Sequence, residues 1–270
     1  MNLQDANTPA PGPDNQPGQE TAPATAGGQR YVVVKMPPTK PYVTYAFMGF
    51  TILVYLLQLG SKFFLGGLDY PAALGLKAND AILQGELWRL FTPMFLHSTS
   101  SLLHIGFNMY ALYALGPELE RHFGHLRYLA LYLLSGFAGN VASFLLSPEY
   151  SLGASTAVFG LIGAQGAFLY HNRSLFGRIA QRALVNILVV AGINLFIGLS
   201  PGIDNWGHVG GLVGGTLFAL FGGPLLQVEA EMGALKLSDR REPGAWVAAG
   251  LGVGLLFAAL AAVKFFLSGG

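Results

Sequence analysis

Seven stretches of this chain run for at least 21 residues without Asp, Glu, Lys or Arg: 41–61, 90–117, 128–148, 150–172, 183–203, 205–228 and 243–263. A helix needs roughly 20 apolar residues to cross the hydrocarbon of a bilayer. Water imposes no such spacing of charges, whereas lipid penalises every charge inside a span. The windows are continuous apolar runs without period-two alternation, which points to helices and not to a barrel. The 270 residues are 11% charged, against about 25% in soluble globular proteins. That excludes a disordered chain and argues against a soluble enzyme. A net charge of +1 leaves no footprint for nucleic acid. Without Cys there is no disulfide, thiolate metal site or thiol nucleophile. The expected fold is all-α, a polytopic bundle of seven membrane helices.

Lys and Arg are shared unevenly between the two sides of such a bundle. Arg30, Lys35, Lys40, Arg121, Arg127, Arg173, Arg178, Arg182, Lys236, Arg240 and Arg241 fall on one side. Lys62, Lys77, Arg89 and Lys264 fall on the other. Positive charge collects in cytoplasmic connections, so the N-terminus is expected in the cytoplasm and the C-terminus outside. Residues 1–29 carry Asp5, Asp14 and Glu20 among many Pro, Gly, Thr, Ala and Gln, with no Lys or Arg. Such a segment cannot bury enough apolar surface to offset its ordering entropy, and residues 1–40 are expected to form a disordered cytoplasmic tail. It reads neither as a signal peptide nor as a mitochondrial presequence. The connection from 62 to 89 mixes apolar runs with a few charges and is expected to lie partly in the outer interface. Glu86, Trp88 and Arg89 would mark its re-entry into the second span, with Trp at headgroup level.

Against this apolar background four polar residues stand out, and a polar group inside a span is by default a functional candidate. His104 and Asn108, four residues apart, share one helix face. Ser155 follows Gly153 and opens the fourth window; His208 lies near the start of the sixth. Spans two, four and six all run inward, so the four residues can meet below the outer surface, in a cavity that water reaches from outside. Gly207, Gly211 and Gly215 on one span, and Gly160, Gly163, Ala164 and Gly166 on the other, would let the helix backbones approach closely. Ser is a weak nucleophile and needs an adjacent base, which His208 could supply. A tetrahedral oxyanion needs fixed donors; Asn108, His104 and the Ser155 backbone N–H are candidates. Asp204, one turn before His208, is expected in a loop, which gives a dyad and not a triad.

These residues resemble a known family, the rhomboid intramembrane serine proteases. The likeness runs from about 42 to 225. It rests on Trp88-Arg89, His104-Ile-Gly-Phe-Asn108, Gly153-Ala-Ser155 and His208-Val-Gly-Gly-Leu, supported by Gly116-Pro-Glu-Leu-Glu-Arg121 and Tyr132-Leu-Leu-Ser-Gly136. The resemblance implies Ser155 as nucleophile, His208 as base, and His104 with Asn108 on the oxyanion. Gly153 would support the site, and Phe159 holds the aromatic position against the catalytic His. Thr156 stands where the family often has Gly. The implied activity is endoproteolysis of transmembrane segments of membrane-protein substrates in the bilayer, with no cofactor and no metal. The implied domains are a six-helix core over 41–228, a cytoplasmic linker over 229–242 and an added seventh helix over 243–267. The motif style points to a bacterial inner membrane. The alternative is a weak or inactive relative that binds membrane clients. A transporter would show paired halves with broken helices or acidic residues in several spans; neither is seen. Oligomeric state is not legible.

Elsewhere the structural reading is preferred. His122 and His125 have metal-like spacing but sit among Glu118, Glu120, Arg121 and Arg127, as in a salt-bridged turn. His171 adjoins a helix end. His97 is given no role. Glu118 and Glu120 are expected to tie the cytoplasmic end of span two to its neighbours.

Overall fold

The computed structural model describes residues 39–231 and 234–269. The expected disordered tail lies, but for its last two residues, outside the described residues. The chain runs α1 (Tyr42–Phe64), α2 (Tyr70–Gly75), α3 (Asn79–Leu83), α4 (Leu102–Phe123), α5 (His125–Leu146), α6 (Ser155–His171), α7 (Arg173–Ile197) and α8 (Asn205–Gly222). A hairpin of β1 (Leu226–Glu231) and β2 (Ala234–Asp239) then leads to α9 (Ala245–Leu267). The seven longer helices fall one in each charge-free window.

Four of them, α1, α5, α7 and α9, are long and apolar enough to cross a bilayer on their own. The other three depart for separate reasons. The last turns of α4 carry Glu118, Glu120 and Arg121. With 17 residues, α6 rises only about 26 Å. Six of the 18 residues of α8 are Gly. Both α6 and α8 are wrapped by other helices, so they meet side chains where an outer helix meets lipid. The result is an all-α membrane bundle with α6 and α8 at its centre.

Small residues set that centre. A Cβ at Gly211 would collide with the backbone of Thr156, and one at Gly215 with the backbone of Gly160. Gly210 and Gly214 press in the same way on Ala142 and Ala138 of α5. The helix-thinning role expected for Gly211 and Gly215 therefore holds. Gly207 lies in both contacts: its own Cβ would come 3.0 Å from Thr156 Cγ2 of α6, and a Cβ on Gly139 of α5 would lie 2.6 Å from Gly207 O. Gly166 faces Ile187 of α7.

At the other end of the bundle, Glu120 is fully buried. Its carboxylate accepts from Val43 N–H at 2.9 Å, Thr44 N–H at 2.8 Å and Thr44 Oγ1–H at 2.7 Å. The two N–H groups are ones that the first turn of α1 cannot satisfy internally. His125 Nδ1 lies 2.6 Å from the same carboxylate, the salt-bridged turn expected there. Among the described residues Glu118 has no such side-chain bond, and its backbone carbonyl meets His122 Nδ1.

Three boundaries differ from the sequence reading. The second window opens at 90, yet α4 begins at Leu102. Residues 87–95 form two 3₁₀ turns, and Pro93 with the hydroxyl run Ser98–Ser101 delays the helix. Trp88 and Arg89 thus lie in the connection itself. Arg89 is buried and donates to Leu76 O and Ala73 O, both at 2.9 Å. Trp88 Nε1–H donates to Leu74 O at 3.0 Å. The sixth window extends to 228, but α8 stops at Gly222 before Gly223-Pro224. The segment 229–242 is mostly β-hairpin and not a plain linker. Asn172 anchors the hairpin, accepting from Leu226 N–H at 2.7 Å and donating to Pro224 O at 3.1 Å. The fifth window opens at 183, whereas α7 starts at Arg173 and bends at Gly177 (φ +54°).

Candidate active site

Ser155 is the first residue of α6, at the positive end of that helix's dipole. The chain reaches it through Gly153, whose φ of +140° is a conformation that L side chains rarely adopt. His208 is the fourth residue of α8 and is nearly buried, with 8% of its surface exposed. The Gly contacts between α6 and α8 bring the two together: Ser155 Oγ lies 3.0 Å from His208 Nε2. The ring of Phe159 stacks on His208 with centroids 4.2 Å apart and planes 11° from parallel. That contact leaves the imidazole few alternative orientations.

His104 and Asn108 face the same cavity from α4. Asn108 Nδ2–H donates to His104 O at 2.9 Å. An amide nitrogen has two N–H groups, so one remains for a ligand. Ser98 N–H donates to His104 Nδ1 at 3.3 Å, which places the ring proton on Nε2. A Cβ on Gly153 would lie 2.8 Å from that Nε2. The cavity holds about 750 Å³ and is lined by Ser155, His208, His104 and Asn108 together with Lys62, Asp69 and the hydroxyls of Ser98–Ser101. All four residues singled out in the sequence therefore border one space.

Asp204 lies in the loop before α8, as expected, and also caps that helix, its Oδ1 accepting from Gly207 N–H at 2.9 Å. Thr156 turns away from the cavity: a Cβ on Gly139 would lie 2.6 Å from Thr156 Cβ, and one on Gly207 3.0 Å from Thr156 Cγ2. It fills the notch between α5 and α8. His97 was given no role, yet it is fully buried and its Nε2 accepts from Ala154 N–H at 3.3 Å. Burial, with His104 beside it, pushes this imidazole down to about 3, so the ring stays neutral and Nε2 stays an acceptor. His122, His125 and His171 do not border the cavity.

Fold and site together define a polytopic helical membrane protein with a hydrogen-bonded serine–histidine pair at the wall of a polar cavity. The Rhomboid domain matches residues 84–224, just over half of the sequence, and the chain belongs to the rhomboid family. Rhomboid protease GluP of Bacillus subtilis (strain 168) is 42% identical over 185 residues, 67% of this chain and 34% of that protein. RHOMBOID-like protein 9, chloroplastic, of Arabidopsis thaliana is 34% identical over 165 residues, 61% of this chain and 38% of that protein. RHOMBOID-like protein 7 of the same plant is 41% identical over 133 residues, 49% of this chain and 42% of that protein. The chain thus spans less than half the length of each of these relatives.

Proposed function

We propose that the chain is an intramembrane serine endopeptidase that cleaves transmembrane segments of other membrane proteins. The observation that carries this reading is the 3.0 Å approach of Ser155 Oγ to His208 Nε2 beside the donors of His104 and Asn108. Ser155 Oγ attacks the scissile carbonyl while its proton passes to His208 Nε2. The oxyanion is met by His104 Nε2–H and the free N–H of Asn108 Nδ2. Collapse breaks the C–N bond, and the leaving amine takes the proton from His208. An ester on Ser155 remains, and His208 then activates a water from the cavity to hydrolyse it. Burying the reacting groups among helices strengthens each of these electrostatic contacts. The membrane-embedded core of 41–228 carries the chemistry in this reading, and α9 is an addition to it.

The test uses the full chain in liposomes with a single-span substrate and a serine-directed fluorophosphonate. The wild type should label at Ser155 and cleave the substrate, and a metal chelator should change neither. Ser155→Ala and His208→Ala should abolish both signals. Cleavage that persists in both variants would sink the dyad. Labelling without turnover of any substrate would favour a client-binding protein.

A further inference from the structure

Among the buried charges that the reaction above does not use, Lys77 is bonded to the segment that leads to the nucleophile. Lys77 lies between α2 and α3 and has no solvent exposure. Its Nζ donates to Ser147 O and Glu149 O, each at 2.7 Å. Its backbone N–H donates to Ser151 O at 2.8 Å, and its carbonyl accepts from Ser151 N–H at 3.2 Å. One residue therefore grips three positions of the segment that leads from α5 to Ser155. The seam continues beyond it: Gly153 N–H donates to Pro93 O at 2.9 Å, and Ala154 N–H to His97 Nε2 at 3.3 Å. The charges that act on Lys77 are Asp204 at the cap of α8, Glu149 in the gripped segment and Lys264 on α9. Asp204 starts the helix that carries His208, one turn ahead of it.

Burying an ammonium costs free energy unless it is paired and hydrogen-bonded. The backbone bridge to Ser151 alone would align the two segments, so joining them does not require the charge. What the charge adds is a charge-assisted grip on the nucleophile's segment, at Ser147 O and Glu149 O. We propose that Lys77 is a positioning residue for the Ser155–His208 pair, its ammonium fixing the segment that leads into Ser155. The activity readouts rest on the protease reading; the placement does not.

Burial pushes the Lys77 amine down to about 8; Asp204 and Glu149 oppose that shift and Lys264 adds to it. The charged form is therefore lost as pH rises through about 8. A neutral amine keeps two N–H groups for the two carbonyls. Those bonds are no longer charge-assisted and so are weaker.

Hydrogen exchange on the full chain reads the placement without reference to catalysis. Lys77→Met should speed exchange at the Ser151 and Gly153 amides and leave α4 and α5 unchanged, and Lys77→Arg, which restores a charged donor, should slow it again. In liposomes, Lys77→Met should lower kcat by about tenfold or more with KM little changed, because small misplacement of reacting groups is costly. Wild-type cleavage should fall as pH rises through about 8. Asp204→Asn keeps a good helix cap and needs no change at Lys77. Removing the anion disfavours the ammonium, so this variant should lose cleavage at a lower pH than the wild type. Unchanged exchange at 147–154 in Lys77→Met overturns the proposal, as does an alkaline fall that stays in place in Asp204→Asn. If the wild type cleaves nothing, the protease reading fails, and the exchange measurement still decides the role of Lys77.

Discussion

Gly153 makes a single-residue test of the oxyanion side of the site. Its φ of +140° and the 2.8 Å that a Cβ would leave to His104 Nε2 penalise any side chain twice. The backbone strain alone is worth about 1–3 kcal/mol, and His104 must move to admit the methyl. Displacing one oxyanion donor costs about 10²–10³ in kcat. Gly153→Ala should therefore lose roughly 10²-fold in kcat with little change in KM, as measured on a single-span substrate. Wild-type kcat in this variant would remove His104 from the oxyanion site. Phe159 tests the base instead. Losing its stacked ring from His208 removes an aromatic contact worth about 1 kcal/mol, or roughly fivefold in kcat/KM for Phe159→Ala. An unchanged rate would show that the stack does not orient the base. Ser155, His208, His104 and Asn108 could be found in the sequence because polar residues are conspicuous in charge-free windows. His97 and Lys77 could not. Their partners are backbone atoms 57 and 70 residues away, and no pattern along the chain aligns those loops.

Packing of whole elements separates glycines that matter from glycines that do not. A Cβ on Gly215 meets the backbone of Gly160, which cannot swing aside, while one on Gly252 of α9 meets nothing within 4 Å. Overpacking typically costs about 1–3 kcal/mol, so Gly215→Ala should lower the thermal midpoint and, by pushing α8 off α6, abolish fluorophosphonate labelling. Gly252→Ala should leave both unchanged. If the two variants behaved alike, close approach would not be what brings Ser155 to His208. Glu120 joins α4 to α1 through three donors. Glu120→Ala should cost about 3 kcal/mol or more, because breaking a buried charged network leaves its partners unsatisfied, and thermal unfolding would read it. Charge-free windows located the seven long helices because lipid and protein interior both exclude charge. The same fact explains where they misled. Residues 90–101 lack charge because much of the coil is buried against protein, and Leu226 and Val228 prolong an apolar run although they belong to a strand. Absence of charge reports burial; helix boundaries depend on Pro93, Pro224 and the hydroxyl run.

For the whole molecule the open variable is sidedness, and the absence of Cys makes it measurable by single substitutions. Of the thirteen Lys and Arg among the described residues, nine fall on the side of the α4–α5 turn, the α6–α7 turn and the hairpin. The cavity with Ser155 lies among residues of the opposite side, including Lys62, Ser98–Ser101 and Asp204. If positive charge sets orientation, the cavity faces away from the cytoplasm, and water for hydrolysis enters from there. Glu242 is exposed between the hairpin and α9, and Ser200 and Ser268 are exposed at the other ends of α7 and α9. In intact cells a membrane-impermeant maleimide should label Ser200→Cys and Ser268→Cys, and should reach Glu242→Cys only after permeabilisation. Labelling of Glu242→Cys alone in intact cells would invert the topology and place the cavity in the cytoplasm. Labelling of Ser200→Cys without Ser268→Cys would break the link between α9 and the rest of the bundle, since an odd number of crossings must separate Glu242 from Ser268. On the protease reading proposed above, a cavity that faces away from the cytoplasm would put the cleaved bond of a substrate helix nearer its non-cytoplasmic end.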